Sequence, residues 1–410
     1  MSAFFAEAGP LLLIVGSALT GPLFTLASLT LTGDRLLGLS ALGVAAGLGV
    51  AGRLRWTPIH SGLAVFVGAQ VLTTVLRAPA WPQGVKFVTV YLLGFSCFAL
   101  AAEWARGADG QRRMARSWVA VGAILSVAGT LSATLSNFYQ EPRWGSGLAQ
   151  VLLVHPEHPQ VLFAAKATFN ESNLFSSFLL IPFTIGLWAW HRDTEAQRGL
   201  VAELGAMVFG LASGTTRAAW VSMAGIIALW WWVKRPRGRQ LAALGLMLAL
   251  AFLLQAAALR GTSPLATRVI EPVKARYDQN MAGRLIISRG TVASWRERPV
   301  LGQGAGSVNR IVIGRGEKTW NGNLVLFVLH DSGLLGLAAL VVLSAAVWRR
   351  GARALRHEAG GATPPLAVPL LAVGAALCFA YQFTHGLWIM YPYVYLGVLT
   401  AATDDGGQGA

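Results

Sequence analysis

Long apolar runs recur along the whole chain and are separated by short polar connections. Runs of this kind predict membrane-spanning helices, because a helix satisfies its backbone hydrogen bonds internally where water is absent. Several runs are short and rich in Gly, Ala and Ser, which allows neighbouring helices to pack closely. We predict twelve spans: Leu11–Leu31, Leu37–Ala51, Ser61–Leu76, Val85–Ala102, Trp118–Phe138, Asn173–Trp190, Leu200–Ser213, Ala219–Val233, Leu241–Leu259, Leu324–Trp348, Leu366–Phe383 and Leu387–Ala402.

The apolar pattern is interrupted at length over residues 260–322, where eleven basic residues stand against four acidic ones. This interruption divides the chain into a membrane bundle of nine spans (residues 1–259), a cationic loop (residues 260–322), and a second bundle of three spans with a short tail (residues 323–410). The predicted fold is therefore all-α and polytopic, with one long polar loop.

The composition supports this fold class and indicates which kind of binding partner to expect. The chain is 54% hydrophobic and 12% charged, whereas charged residues make up about a quarter of a soluble domain. Its formal charge of +15 must lie in the loops. Basic loops favour anionic partners, either membrane lipid head groups or a phosphorylated substrate. Nucleic acid is not among the expected partners.

The basic residues also predict an orientation. Alternate connections carry five basic clusters, which the positive-inside rule places in the cytoplasm together with both termini. The cationic loop then lies outside, along with residues 139–172 and the turns at 77–84, 215–218 and 384–386. A positive surplus outside opposes the usual insertion bias, so an anionic ligand is expected there. The five clusters are Arg53 and Arg55; Arg106, Arg112, Arg113 and Arg116; Arg192 and Arg198; Lys234, Arg235, Arg237 and Arg239; and Arg349, Arg350, Arg353 and Arg356.

Two outward arginines are candidates for binding an anion. Arg217 lies in the tight turn between two predicted spans, where its guanidinium can bind phosphate oxygens in a fork or simply extend to the membrane surface. Arg284 lies in the amphipathic segment Met281–Gly290, which also presents Arg289. The glycines at 302, 304 and 306 follow. They form either a loop whose N–H groups approach phosphate or a structural turn.

His330 and Asp331 are ionisable neighbours within an apolar run. Such residues are functional candidates by default in a membrane helix. Hydrogen bonds between helices can also satisfy both side chains, in which case the pair is structural.

The order of these motifs resembles the O-antigen ligase and O-antigen polymerase superfamily of bacterial envelope glycosyltransferases, over roughly residues 60 to 400. The motifs that carry the resemblance are Phe169–Phe175, Gly214–Arg217, Gly283–Arg284, Pro299–Gly306, Asn323 and Gly333–Gly336. The resemblance implies a GT-C-like membrane enzyme in the bacterial inner membrane, with its active site facing the periplasm. It also implies an undecaprenyl-diphosphate-linked glycan as donor, and neither a metal nor a cofactor.

The resemblance assigns roles to individual residues. Arg217 and Arg284 would hold the diphosphate, and Lys86 would line the donor site. Arg289 and Asn323 are further candidates for substrate binding. The family's proposed base is a His beside this Asn, but here the position is Gly322. Either a strong base is dispensable, or another residue such as His330, Asp331 or His385 serves. His330 is therefore a candidate catalytic residue.

The expected function is that of an O-antigen ligase, which moves a preassembled glycan onto lipid A-core oligosaccharide. A cationic outer surface would attract this phosphorylated acceptor, and the compact chain also favours a ligase. One alternative is an O-antigen polymerase with the same donor chemistry. A transporter of an anionic solute is a further alternative, although no duplication of two related halves is visible in the sequence.

Overall fold

The structure is a computed structural model. It describes residues 3–20, 22–26, 29–50, 52, 54–77, 81–139, 148–154, 161–192, 197–258, 271–310, 312–313, 317–318, 322–358 and 366–404. Several charged positions of the predicted cationic loop, including Arg260, Arg268 and Arg315, lie outside these ranges. The statements below concern the described residues.

Helices account for most of the described chain. They are α1 (Ala3–Ala18), α2 (Gly33–Val50), α3 (Pro58–Arg77), α4 (Trp81–Trp104), α5 (Gly107–Tyr139), α6 (Ser172–Arg192), α7 (Gln197–Ser213), α8 (Arg217–Lys234), α9 (Gly238–Ala258), α10 (Glu271–Glu297), α11 (Leu324–Glu358), α12 (Ala367–Ala380) and α13 (Tyr391–Ala402). Helix α10 lies within the predicted cationic loop. Each of the others overlaps one predicted span, in chain order.

Five of the described helices are long and apolar enough to cross a membrane: α3, α4 from Gly84, α5, α6 to Trp190, and α11 to Arg356. Shorter apolar helices include Ala8–Ala18, Gly199–Ser213, Gly238–Ala251 and Ala367–Ala380. This pattern is that of a helical membrane protein. The count of twelve crossings and the GT-C-like arrangement remain predictions.

Three antiparallel hairpins accompany the helices: β1 (Pro22–Leu26) with β2 (Leu29–Thr32), β3 (Ala149–Val154) with β4 (Val161–Ala165), and β5 (Val312–Ile313) with β6 (Glu317–Lys318). The first hairpin corrects the predicted span Leu11–Leu31, because helix α1 ends at Ala18. Pro22 lacks the N–H that a continuing helix requires, and the threonines of β1 and β2 favour extended backbone. The apolar character of this stretch therefore belongs partly to strands.

The second hairpin is attached to α5 through the side chain of Asn137, which bonds both backbone polar groups of one residue of β4. Asn137 Nδ2 donates to the Phe163 carbonyl at 2.8 Å, and Asn137 Oδ1 accepts from the Phe163 N–H at 2.8 Å. The chain leaves β4 at Ala165 and reaches α6 through residues 166–171. This attachment therefore fixes the start of the segment that leads into α6.

A buried aromatic cluster lies beneath that segment. The ring centroids of Phe169 and Phe178 are 5.1 Å apart, and those of Phe178 and Tyr391 are 5.5 Å apart. Phe169 also meets Tyr391 edge-on at 5.9 Å. Aromatic pairs of this geometry contribute about 0.5–1.5 kcal/mol each beyond their buried area. The cluster joins the segment before α6 to the start of α13.

Hydrogen bonds identify two ends of the bundle. At one end, which we call the Arg217 end, Thr168 Oγ1 donates to the Ala18 carbonyl at 2.7 Å, beside the segment that leads into α6. At the other end, which we call the Arg350 end, Arg350 Nη2 donates to Asp404 Oδ1 at 2.6 Å. Near this end, Gln111 of α5 donates to the Ala401 carbonyl at 3.5 Å. Helix α6 runs away from the Arg217 end, and at its last turn Gln240 of α9 donates to the Trp190 carbonyl at 3.3 Å while Trp230 of α8 stacks on Trp190. The described members of the five basic clusters therefore gather at the Arg350 end.

Helix α11 is interrupted near the Arg217 end. Gly333 has φ 63° and ψ −159°, which is not helical. A Cβ at Gly333 would lie 2.3 Å from the Val300 carbonyl oxygen, so no other residue fits without a shift of the backbone. Past this break the Leu334 N–H bonds to the Pro299 carbonyl at 2.9 Å. The break therefore seats the segment after α10 directly against α11.

Candidate functional site at the Arg217 end

Arg217 is the first residue of α8, and the turn before it is tightly constrained. A Cβ at Gly214 would lie 2.2 Å from Ser176 Oγ of α6, so the turn packs against that helix. Thr215 has a left-handed φ of 51°, an unfavourable conformation for a β-branched residue. Thr216 is extended and occupies the N-cap position of α8, where its side chain makes no capping hydrogen bond. These constraints place the exposed Arg217 side chain beside the positive end of the α8 dipole, where anions are stabilised.

Side chains also tie this turn to its neighbours. Thr216 Oγ1 donates to Asn173 Oδ1 in the first turn of α6 at 3.0 Å. Trp220 Nε1 donates to the Leu211 carbonyl at the end of α7 at 2.8 Å. Three helices thus hold the backbone of Arg217 in place, which favours a defined ligand over a freely moving surface charge.

Arg284 reaches the same region from α10. Its exposed side chain donates from Nη1 to the Phe383 carbonyl at 3.0 Å. Partial desolvation of the guanidinium, followed by the charge of Arg217, lowers the pKa of Arg284 from its usual value, and Glu171 opposes this shift. The structure therefore brings Arg217 and Arg284 close enough for their like charges to interact, although 67 positions separate them in the sequence.

Glu171 is a member of this group that the sequence analysis did not single out. It lies in the segment before α6 and is half-buried. Burial raises the pKa of its carboxyl, and the positive charge of Arg284 acts in the opposite direction. The sequence does distinguish Glu171, because it is the one ionisable residue of the motif Phe169–Phe175.

Neighbouring bonds fix the backbone around Glu171. The Asn170 N–H bonds to Thr20 Oγ1 at 3.1 Å, and the Ser172 N–H bonds to Gln150 Oε1 at 2.8 Å. The Glu171 carbonyl accepts from the Phe175 N–H at 3.2 Å. The carboxylate therefore extends from an anchored segment.

Asn323 has a structural role in this arrangement. Its Oδ1 accepts from the Leu326 N–H at 2.9 Å and so caps α11, while its Nδ2 contacts the Gln382 carbonyl at 3.4 Å. The predicted role of Asn323 in substrate binding remains a prediction.

The position before Asn323 has no room for a side chain. A Cβ at Gly322 would lie 2.2 Å from the Phe383 carbonyl oxygen, the atom that accepts from Arg284. The Gly322 carbonyl accepts from the His385 N–H at 3.0 Å, and the Leu324 N–H donates to the Tyr381 carbonyl at 2.9 Å. Residues 322–324 and 381–385 therefore pack backbone to backbone, which explains the glycine where the resemblance leads one to expect a histidine.

His330 and Asp331 are buried, with 1% and 0% of their surfaces exposed. His330 Nδ1 lies 3.0 Å from Asp331 Oδ1, and His330 Nε2 lies 3.2 Å from Ser294 Oγ of α10. Asp331 Oδ1 also accepts from Ser307 Oγ at 3.1 Å and the Val308 N–H at 3.3 Å. We call these residues and the Gly306 N–H the Asp331 cluster. These contacts satisfy both side chains, as a structural pair requires, and the catalytic role of His330 remains a prediction.

The glycine-rich stretch is part of the same cluster. The Gly306 N–H donates to Asp331 Oδ2 at 2.7 Å, and the N–H groups of Gln303 and Gly304 each donate to a carbonyl of α11 at 2.8 Å. The left-handed φ values of 67°, 90° and 74° at Gly302, Gly304 and Gly306 permit this path. These N–H groups bind α11, so the interpretation as a structural turn fits and the interpretation as a phosphate loop does not.

The last two predicted site residues are Lys86 and Arg289. Lys86, on α4, is exposed, and its charge interacts with that of Arg35 of α2. Arg289 is exposed on α10, five residues after Arg284, and side chains at that spacing point about 140° apart around a helix. Their roles in substrate binding remain predictions.

Within the described ranges, no group of three or more His, Cys, Asp or Glu residues is arranged to hold a metal ion. The chain matches no protein-family model, and no curated protein shows significant similarity to it. The candidate site therefore rests on its own geometry, in which Arg284 of α10 interacts electrostatically with Arg217 of α8 and with Glu171 of the segment before α6.

Proposed function

We propose that the chain is a membrane glycosyltransferase that moves a glycan from undecaprenyl diphosphate to an acceptor hydroxyl. The observation that carries this proposal is the approach of Arg217 to Arg284 at one end of an apolar helical bundle. Two like charges repel each other, and an anion bound between them would offset that repulsion. A diphosphate suits paired guanidinium groups, which donate to its oxygens in forks.

In such a transfer, the main catalytic task of these cations is to stabilise the negative charge of the leaving group. The acceptor oxygen attacks the anomeric carbon, and the bond between that carbon and the diphosphate oxygen breaks. Negative charge grows on the leaving diphosphate, and preorganised guanidinium groups in a site of low dielectric stabilise it. Removal of one such donor typically lowers a rate by about 10²–10³-fold.

The distribution of charge supports a periplasmic site in the bacterial inner membrane. The basic clusters lie at the Arg350 end, and the positive-inside rule assigns that end to the cytoplasm. The Arg217 end then faces the periplasm, where a phosphorylated acceptor such as lipid A-core oligosaccharide would meet its exposed positive charge. This acceptor makes the proposed enzyme an O-antigen ligase, with the polymerase as the nearest alternative.

Reconstitution tests the proposal. Purified protein in liposomes receives an undecaprenyl-diphosphate-linked glycan and lipid A-core, and transfer is followed by gel mobility. We expect transfer by the wild type and a loss of at least 100-fold in Arg217→Ala and in Arg284→Ala. Arg239→Ala is the matched control, since Arg239 is an exposed arginine in the first turn of α9 at the Arg350 end.

The outcomes separate the possible functions. Full activity in either site variant would remove the assignment of the arginine pair. Elongation of the glycan without capping of lipid A-core would identify a polymerase. Uptake of an anionic solute into the liposomes without any transfer would identify a transporter.

A further inference from the structure

Three candidate bases, His330, Asp331 and His385, are buried near the Arg217 end. His330, Asp331 and His385 have 1%, 0% and 0% of their surfaces exposed. Both ring nitrogens of His330 are within hydrogen-bonding distance of protein atoms, Nδ1 with Asp331 and Nε2 with Ser294. The ring of His385 lies against Phe327 with centroids 4.0 Å apart. An acceptor sugar cannot reach these groups in this conformation.

Glu171 differs from these three residues in both exposure and neighbours. It is only half-buried, whereas the other three side chains are fully buried. Its charge interacts with that of Arg284, the residue that also interacts with Arg217. One carboxylate therefore interacts with Arg284, one of the two cations that would hold the leaving diphosphate.

The anchoring of Glu171 makes this proximity a fixed property of the fold. The residues on either side of it are bonded to Thr20 and Gln150, which belong to two other segments. Two positions later, Asn173 accepts from Thr216, the residue that precedes Arg217. The carboxylate and the Arg217 turn are thus connected through the first turn of α6.

We propose that Glu171 is the catalytic base of the transfer, an inference that rests on the function proposed above. Its carboxylate takes the proton from the acceptor hydroxyl as the new bond forms between the acceptor oxygen and the anomeric carbon. The bond from that carbon to the diphosphate breaks, and the diphosphate leaves with the electron pair, beside Arg217 and Arg284. The protonated Glu171 then releases its proton to water, which restores the carboxylate.

The basicity of Glu171 suits this role. Burial raises its pKa above the ordinary value of 4.5, while Arg284 opposes the shift. A base with a pKa closer to the working pH accepts a proton more readily, and general bases contribute about 10²–10⁴-fold to rates. Among the described residues, the charged group that acts on it is Arg284 of α10, which in turn interacts with Arg217 of α8.

Glu171→Gln gives the most direct test in the liposome assay. We expect the turnover number to fall about 10²–10⁴-fold. Binding of undecaprenyl diphosphate should stay equal or become tighter, because the variant removes a negative charge near the diphosphate. Arg284→Ala should instead weaken that binding. Glu203→Gln is the matched control, since Glu203 is a partly buried glutamate of α7 and is remote from the arginine pair.

The pH profile distinguishes a base from a residue that only positions Arg284. In the wild type the rate should fall as the pH drops through the raised pKa of Glu171, because the protonated carboxyl cannot accept a proton. That decline should vanish in Glu171→Gln, and formate should partly restore transfer in Glu171→Ala. A slow Glu171→Gln variant that binds undecaprenyl diphosphate weakly and keeps the acidic decline would overturn the role of base.

Two further outcomes are decisive. If Glu171→Gln retains more than a third of the wild-type rate while Arg217→Ala is inactive, the base assignment is wrong and the transferase proposal stands. If the wild type itself transfers nothing where a known ligase is active, the transferase proposal and the base role both fail.

Discussion

The buried carboxylate of Asp331 allows the connection between α11 and the glycine-rich stretch to be tested by a change of a single atom. In Asp331→Asn one acceptor oxygen is replaced by an NH₂ group of nearly the same size. The carboxylate accepts from Gly306, Ser307 and Val308 and lies 3.0 Å from His330 Nδ1. Either orientation of the new amide directs an N–H group at a backbone N–H.

The magnitude follows from the bonds that are lost. A buried donor without an acceptor costs about 1–3 kcal/mol, and hydrogen bonds to a charged group contribute about 1.5–3 kcal/mol. Together the unpaired donor and the weakened bonds amount to about 3–5 kcal/mol. We therefore expect Asp331→Asn to lower the free energy of unfolding by about 3–5 kcal/mol.

Titration with SDS from mixed micelles, followed by circular dichroism, measures this loss. The control is Thr184→Val. The buried hydroxyl of Thr184 donates at 2.6 Å to the Leu180 carbonyl within the same helix, and this change should cost less than about 1 kcal/mol. An Asp331→Asn variant within about 1 kcal/mol of the wild type would refute the structural role given to the cluster.

Three further predictions concern backbone and charge. Gly322→Ala should destabilise the protein by about 1–3 kcal/mol in the same titration, because its Cβ meets the Phe383 carbonyl; an unchanged midpoint contradicts the close packing. Thr215→Gly should stabilise it by up to about 1 kcal/mol by relieving the left-handed φ, with transfer unchanged; a loss of stability contradicts the strain. Arg350→Ala should lower the free energy of unfolding more than Asp404→Asn, because Arg350 also donates to the Thr403 carbonyl at 3.1 Å. Equal losses in the two single variants contradict that ordering.

The sequence predicted the helical part of the fold because apolar runs of membrane length leave few alternatives. It also predicted the basic clusters that the fold gathers at one end. The first span was placed too far along the chain, since hydropathy alone does not separate an apolar strand such as Pro22–Leu26 from a helix. The break at Gly333 depends on its contact with Val300, and the sequence pattern around Gly333 does not reveal a contact with a residue so distant in the chain.

The candidate site was predictable in part. Arg217 and Arg284 were selected by their positions outside the apolar runs, but their proximity depends on how α8 and α10 pack. The glycine-rich stretch is equally compatible with binding an anion or binding a helix until its N–H partners are known. Glu171 was overlooked because a single carboxylate in a loop is usually solvated, and only its burial and its neighbour Arg284 distinguish it.

The close packing of residues 322–324 against 381–385 restricts how this protein can change over time. Position 322 accepts a side chain only after the Phe383 carbonyl has moved, and that carbonyl also receives the hydrogen bond of Arg284. A mutation at 322 is thus harmful by itself and tolerable only on a background already altered near 383. In a laboratory evolution experiment, variants at 322 should therefore arise as second steps and lose their fitness when the earlier change is reverted.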